Sequence, residues 1–272
     1  MASSLTYSRY LELDRLLELQ IPRSGEDWDD AEHDELLFIV IHQVYELWFK
    51  QTLHELDHLG ELLDAHRPPE RDTSAKVRMT LQRVLTILKT MVAQVDILET
   101  MTPISFGSFR ARLDASSGFQ SPQFRELEFL LGHRRRGMLK YHEDNPPALA
   151  RLQRRLEEPP IYHLFLRFLH RSGADVPEQV LDFDPDHLLL ELPEIHGELV
   201  RIYREDDPLM QICERLVDFD EGLQEWRYRH VKMVERTIGR KPGTGGSAGA
   251  EYLRGTLFHP VFPDLWAIRS QL

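Results

Sequence analysis

The chain has 272 residues, of which 42% are hydrophobic and 29% charged, and its formal net charge is −12 at pH 7. The composition is that of a globular protein, and the acidic balance argues against a role that depends on neutralising nucleic-acid phosphates. The single cysteine, Cys213, excludes an intramolecular disulfide and a cysteine-based metal site. No apolar run approaches the roughly 20 residues that span a bilayer, and the start lacks a secretory signal, so we expect a cytoplasmic protein with no membrane span.

Apolar residues recur at helical spacing along nearly the whole chain, as in Leu37, Ile41 and Val44, whereas alternating, strand-like runs are scarce. We therefore predict an all-α fold, built as one helical-bundle domain over residues 1–272. The predicted helices cover about 8–19, 31–65, 74–101, 122–132, 146–155, 160–171, 187–204 and 207–238.

The N-terminal segment, residues 1–21, is amphipathic and aromatic, because Tyr7 and Tyr10 alternate with several leucines. A helix with such an apolar face normally packs on another surface. We expect that surface to belong to a neighbouring subunit.

Two predicted helices each carry a histidine on an apolar face. Residues three, four and seven positions apart share one side of a helix. The face on helix 31–65 consists of Phe38, His42, Tyr45 and Phe49, and the face on helix 207–238 consists of Trp226, His230, Met233 and Val234. Each histidine taken alone is more typical of a buried core residue than of a ligand. As a pair, they could serve as a haem-iron ligand and a residue on its open side.

The segment from His54 to His58 matches the zinc-hydrolase pattern H-E-x-x-H, with Glu55 as the general base. The longer metzincin pattern needs a glycine three residues after the second histidine, whereas Gly60 is only two residues after it. Twelve residues separate His42 from His54, which places the pattern about 120° away from the aromatic face. We retain a zinc hydrolase only as a distant alternative.

Between Met101 and Ser121 the chain is rich in small polar residues that surround Arg110. An arginine in this position could bind a substrate carboxylate through two parallel hydrogen bonds, although most arginines in such segments simply lie at the surface. The basic run from His133 to Arg136 is too short to offset the acidic net charge, and we interpret it as a solvated helix end.

The segment 239–250 is rich in glycine, which allows backbone amides to approach a carboxylate or phosphate closely. Part of it, Gly243 to Ala248, fits the dinucleotide pattern G-x-G-x-x-G/A, but it follows a predicted helix where that pattern requires a strand. The segment is therefore either a substrate loop or a flexible connector.

Taken together, these segments resemble the tryptophan 2,3-dioxygenase family across nearly the whole chain. The motifs that carry the resemblance are Tyr7-x-x-Tyr10-Leu-x-Leu-Asp14, Phe38 to Trp48, Met101 to Ser121, Trp226 to His230 with the glycine-rich loop, and Phe262-Pro-Asp-Leu-Trp-x-x-Arg269. The resemblance implies an all-helical fold around a haem pocket, like that of tryptophan and indoleamine dioxygenases. It also implies non-covalent haem b and a homotetramer whose N-terminal segment completes a neighbour's active site.

By the same resemblance, His230 is the axial ligand of the haem iron. His42 matches the distal histidine that hydrogen-bonds the indole N–H, and it would position the substrate as part of the catalytic site. Phe38 matches an aromatic wall of the indole pocket. Phe106 occupies a position that is tyrosine in some members and phenylalanine in others, so this chain lacks one possible hydrogen bond to the substrate carboxylate.

The remaining correspondences concern the amino-acid end of the substrate. Arg110 matches the residue that pairs with the carboxylate, and Thr244 matches a loop residue that contacts the ammonium and carboxylate groups. Ser117 matches a serine on the pocket rim. The resemblance implies that Tyr7 and Tyr10 are substrate-site residues contributed by a neighbouring subunit.

The family reaction adds both atoms of O2 across the indole C2–C3 bond of L-tryptophan and gives N-formyl-L-kynurenine, the entry into tryptophan catabolism by the kynurenine pathway. The alternative is a haem-dependent monooxygenase or hydroxylase of an aromatic amino acid, because enzymes of natural-product pathways use the same helical fold. A non-catalytic haem sensor is a further alternative, but it would have little reason to place Arg110 and Thr244 for a substrate.

Overall fold

The computed structural model describes residues 5–64, 71–114, 116–186, 191–243 and 249–272. These residues form α-helices and short 3-10 helices without any β-strand, which confirms the predicted all-α class. The α-helices are α1 (Tyr7–Tyr10), α2 (Leu13–Leu16), α3 (His33–Leu63), α4 (Arg71–Leu98), α5 (Pro103–Arg110), α6 (Pro122–Leu130), α7 (Pro146–Glu157), α8 (Ile161–Arg171), α9 (His196–Glu205), α10 (Asp207–Ile238), α11 (Ala250–Arg254) and α12 (Pro263–Ala267). Within the described ranges, no helix has both the length and the apolar character needed to cross a membrane.

Three long helices form the centre of the fold. Helix α4 packs along both α3 and α10, and its buried face contributes Val77, Leu81 and Leu88 to the core. The same cluster of buried apolar side chains continues onto α6, α8, α9 and α12. Burial of such side chains stabilises each helix by about 1.5–3 kcal/mol for every fully buried leucine or phenylalanine.

Helix α10 approaches α4 closely at Gly222. A Cβ atom at this position would lie 3.0 Å from Cδ2 of Leu88, which is closer than ordinary van der Waals contact. A side chain at position 222 would therefore fit only if the end of Leu88 moved by a few tenths of an ångström, and glycine lets the two helices approach without that shift. This contact lies about two helical turns before His230 and fixes the part of α10 that leads to it.

Several helices begin at a capping residue followed by proline. The hydroxyl of Thr102 accepts a hydrogen bond from the amide of Ser105 at 3.0 Å, and Pro103 is the first residue of α5. Ser121 caps α6 in the same way, through the amide of Phe124 at 3.1 Å. Proline suits the first turn because its missing N–H would have no partner there. Helix α5 was not predicted, although its cap and proline are a recognisable start signal.

Two predicted helices differ from the structure. The single helix expected over 8–19 is two four-residue helices, α1 and α2, separated at Glu12, whose φ of 50° is incompatible with a continuous helix. The helix expected over 187–204 begins only at His196, after a 3-10 turn at Pro193–Ile195. Positions 187–190 of that prediction lie outside the described residues.

Candidate functional site

The structure brings six of the predicted site residues together around one cavity between α3, α5 and α10. They are Phe38, His42, Phe106, Arg110, Ser117 and His230. Both predicted helix faces line this cavity in full, which shows that the two histidine-bearing helices meet. Tyr7 and Tyr10 do not line it and are 74% and 71% exposed. Thr244 lies outside the described residues, but Gly243 and Gly249 on either side of its loop border the cavity.

His42 is held by its own helix. Its Nδ1 atom lies 2.6 Å from the carbonyl oxygen of Phe38, one turn earlier in α3. Because a carbonyl oxygen only accepts hydrogen bonds, Nδ1 carries the proton and Nε2 of the neutral ring is an acceptor. Burial lowers the pKa of His42, so the ring is neutral at pH 7.

His230 lies on α10, and its imidazole stacks on the indole ring of Trp226. The ring centroids are 5.5 Å apart and the planes differ by 6°. Burial lowers the pKa of His230 to about 4, and the positive charge of Arg227 acts in the same direction. A neutral imidazole retains the lone pair that a metal ligand requires. Stacking on Trp226 fixes the plane of the ring.

Beside His42, three phenylalanines form an apolar wall. The ring centroid of Phe38 lies 5.6 Å from those of Phe106 and Phe109. The centroids of these two rings are 5.4 Å apart in an edge-to-face arrangement. Ile41 and Met101 pack behind them. The wall offers aromatic contacts to a flat apolar group placed near His42.

Arg110 ends α5 at the edge of the cavity. Its Nη2 atom donates a hydrogen bond of 2.6 Å to the carbonyl oxygen of Pro242, at the start of the glycine-rich loop. The guanidinium has four further N–H donors besides this one. Arg110 is thus placed beside both the cavity and the loop.

Ser117 lies on the rim and also shapes it. Its hydroxyl accepts a hydrogen bond from the amide of Phe119, and Gln120 closes the turn by accepting from the Ser117 amide. This capping box fixes the short 3-10 helix that borders the cavity. The hydroxyl proton of Ser117 remains able to donate.

A cluster of three arginines around one carboxylate lies at the cavity wall and was not predicted from the sequence. Glu128 is 2% exposed and forms ion pairs with Arg125, with Arg135 at 3.0 Å and with Arg227 at 3.2 Å. Burial would raise the pKa of Glu128, but the three guanidinium groups lower it, so the carboxyl is ionised. One negative charge among three positive charges leaves the cluster cationic.

The arginine cluster corrects the interpretation of residues 133–136 as a solvated helix end. His133 to Arg135 are half-buried and lie outside any helix, and Arg135 donates a 2.6 Å hydrogen bond to the hydroxyl of Tyr252. Arg134 donates to the carbonyl oxygens of Glu158 and Leu156. Only Arg136 is exposed. The signal that could have revealed the cluster is the buried face of α6, which places Arg125 and Glu128 three residues apart.

The zinc-hydrolase pattern is not a site in the structure. His54 and His58 are exposed, and Glu55 is buried between the guanidinium of Arg83, at 2.9 Å and 3.0 Å, and the amide of Gln51 at 2.7 Å. Among the residues that the structure describes, no three histidine, cysteine, aspartate or glutamate side chains are grouped to hold a metal ion. Glu55 is therefore an ion-pairing residue that joins α3 to α4.

Comparison with known proteins agrees with this geometry. The sequence profile of the tryptophan 2,3-dioxygenase family matches residues 1–178 and 192–272. The chain is 53% identical over 272 residues to the tryptophan 2,3-dioxygenase of Herpetosiphon aurantiacus, with all of both chains covered. It is 53% identical over 271 residues to that of Anaeromyxobacter dehalogenans, covering 97% of the relative, and 43% identical over 277 residues to that of Caulobacter vibrioides, covering all of it. Full-length similarity at this level, together with two histidines facing one apolar cavity, shows that the chain belongs to the tryptophan 2,3-dioxygenase family.

Proposed function

We propose that this protein is a haem-dependent dioxygenase that adds both atoms of O2 across the indole C2–C3 bond of L-tryptophan and gives N-formyl-L-kynurenine. The observation that carries the proposal is the pairing of His42 and His230 across one apolar cavity, with Arg110 at its edge, in a chain of this family. All atoms of the substrate and of O2 are retained in the product, so the reaction needs no external reductant.

The donor set suits non-covalent haem b. His230 would ligate the iron through its neutral imidazole, with Trp226 fixing the ring plane. Glu128 neutralises only one of the three positive charges of Arg125, Arg135 and Arg227. The remaining positive charge would pair with the carboxylates of the cofactor. When bound, haem would supply the redox-active iron at which O2 reacts.

The chain's own residues bind and orient the substrate. Nε2 of His42, the acceptor atom of the ring, would receive the indole N–H, and Phe38 and Phe106 would hold the ring plane. Arg110 would pair with the α-carboxylate, and Ser117 would donate at the rim. Binding energy from the charged end thus orients the indole for reaction. We assign Thr244, outside the described residues, to the ammonium and carboxylate groups.

The assembly that we propose is a homotetramer of one-domain subunits. The described part of the N-terminal segment, residues 5–21, is called the N-terminal arm here. It leaves most of its apolar side chains exposed, including Tyr7 and Tyr10, and these two do not line the cavity of their own chain. A second subunit would cover them, and they would complete its substrate site. The cytoplasmic location expected from the sequence is part of this proposal.

The test is an anaerobic optical titration of the reduced, haem-reconstituted protein with L-tryptophan, followed by addition of O2 and mass analysis of the product. A product that gains two oxygen atoms and has an opened pyrrole ring supports the proposal. Gain of a single oxygen atom would instead assign a monooxygenase, and a protein that binds haem and tryptophan without turnover would be a sensor.

A further inference from the structure

Gln43 directly follows His42 in α3, but its side chain reaches away from the cavity to the root of the N-terminal arm. Its Oε1 atom accepts a 2.6 Å hydrogen bond from Nε2 of Gln20, and its Nε2 atom donates a 3.1 Å hydrogen bond to the carbonyl oxygen of Leu19. The Leu19 carbonyl only accepts, so the orientation of the Gln43 amide is fixed. Both ends of this amide therefore hold the arm.

The root of the arm is held from its other side as well. Nε2 of Gln20 also donates to the carbonyl oxygen of Leu16 at 3.1 Å, and the carbonyl of Gln20 accepts from Nε1 of Trp28 at 3.2 Å. Gln20 is half-buried, whereas the residues from Asp14 to Leu19 are exposed. Gln20 and Gln43 thus mark the point where the chain leaves the body of the subunit.

Beyond this point the arm has little intrinsic rigidity. Its helices α1 and α2 have only four residues each, and helices this short are not stable without external packing. The exposed side chains of Tyr7 and Tyr10 lie at its far end. The direction of the arm is consequently set where Gln43 holds it.

We propose that Gln43 is a positioning residue for substrate binding. It aligns the root of the arm so that Tyr7 and Tyr10 at the tip reach the substrate site of a second copy of this chain. This inference rests on the proposed function, because the tip residues act on tryptophan only if that function holds. His42 and Gln43 are adjacent in α3. The same turn of this helix therefore carries the distal histidine of the subunit's own cavity and the residue that holds its arm.

The test compares Gln43→Ala, Gln20→Ala and the double variant with the natural chain, with Gln82→Ala on the exposed side of α4 as the matched control. Two properties are measured on the haem-loaded assembly. The first is the rate of tryptic cleavage after Arg9 and Arg15, followed by mass spectrometry. The second is the steady-state kinetics with L-tryptophan, which give KM and kcat as separate values.

We expect each single variant to be cleaved faster and to raise KM about three- to tenfold, in line with the loss of one or two neutral hydrogen bonds, while kcat changes less. The effects in the double variant should be smaller than the sum of the two single effects, because either change alone already removes the Gln20–Gln43 hydrogen bond. The Gln82→Ala control should match the natural chain.

Unchanged cleavage and KM in both single variants would overturn the inference, and so would additive effects in the double variant. A rise in KM in Gln43→Ala without faster cleavage of the arm would also overturn it, because the loss would then not act through the position of the arm. Product formation by the natural chain tests the proposed function separately. Cleavage of the arm does not depend on turnover, so the two failures are distinguishable.

Discussion

The carbonyl oxygen of Phe38 holds Nδ1 of His42 at 2.6 Å and thereby makes Nε2 the hydrogen-bond acceptor of the ring, the atom that would receive the indole N–H in the proposed complex. We expect His42→Ala to weaken tryptophan binding by about 0.5–1.5 kcal/mol, the usual worth of one neutral hydrogen bond. An anaerobic optical titration measures this. The control ligand is 1-methyl-tryptophan, which has no indole N–H to donate. If the variant loses affinity equally for both ligands, His42 is not the acceptor.

His230→Gly should abolish the optical signature of haem ligated by His230, because glycine supplies no imidazole. Added imidazole should restore part of that signature by entering the space that the side chain vacated. His54→Ala is the matched control and should leave the spectrum unchanged, since His54 is exposed on the far part of α3. Loss of the haem spectrum in the control, or its retention in His230→Gly, would contradict the assignment.

Arg110→Leu should raise KM for L-tryptophan by about 10- to 100-fold, as expected for a hydrogen bond between charged groups. The KM of Arg110→Lys should lie between those of Arg110→Leu and the natural chain, because lysine keeps the charge but cannot form two parallel hydrogen bonds. Steady-state kinetics with tryptamine, which has no carboxylate, supply the comparison. Equal losses for both substrates would place Arg110 outside carboxylate binding.

Glu128→Gln leaves three guanidinium groups around a neutral, buried side chain. The haem-free variant should lose about 3–5 kcal/mol of stability, the usual cost of breaking a buried ion pair. Haem should restore part of this loss, because its carboxylates would supply the missing charge. Thermal unfolding with and without haem measures both effects. The control is Glu251→Gln, at an exposed position in α11, which should change neither the stability of the haem-free protein nor the stabilisation by haem.

Burial lowers the pKa of His133 to about 4, below its ordinary value of about 6.5. Between these two values the unfolded chain binds a proton that the folded chain does not, so the free energy of unfolding falls as the pH decreases. The contribution of this residue is at most about 1.4 kcal/mol per pH unit. Chemical denaturation of the haem-free protein measures the free energy of unfolding at pH 7 and pH 5. The decrease between these pH values should be smaller in His133→Gln than in the natural chain. An unchanged loss would contradict the assignment.

Sequence periodicity predicts the long helices well because their buried faces repeat at regular spacing. The residues Phe38, His42 and His230 can therefore be assigned to helix faces from the sequence alone. Periodicity cannot show that α3 and α10 meet across a cavity, because that depends on how both pack against α4. The family resemblance implies this pairing, and the structure confirms that both faces line one space.

The differences between prediction and structure have local physical causes. The N-terminal segment is regular enough to suggest one helix, but the left-handed backbone at Glu12 divides it, and such a conformation leaves no pattern in hydrophobicity. The arginine cluster was missed because charged residues are usually solvated. Arg125, Glu128 and Arg227 are buried only because each supplies the counter-charge of another, across parts of the chain far apart in sequence.

The close approach at Gly222 has a consequence for how this protein can diverge. A methyl group at position 222 would meet the end of Leu88, so the leucine side chain would have to move by a few tenths of an ångström or be replaced by a shorter one. We expect these two positions to change together among relatives, with alanine at 222 accompanied by valine or alanine at 88. A relative that carries alanine beside an unchanged leucine must instead move the leucine side chain, and the position of the helix that bears His230 then depends on that adjustment.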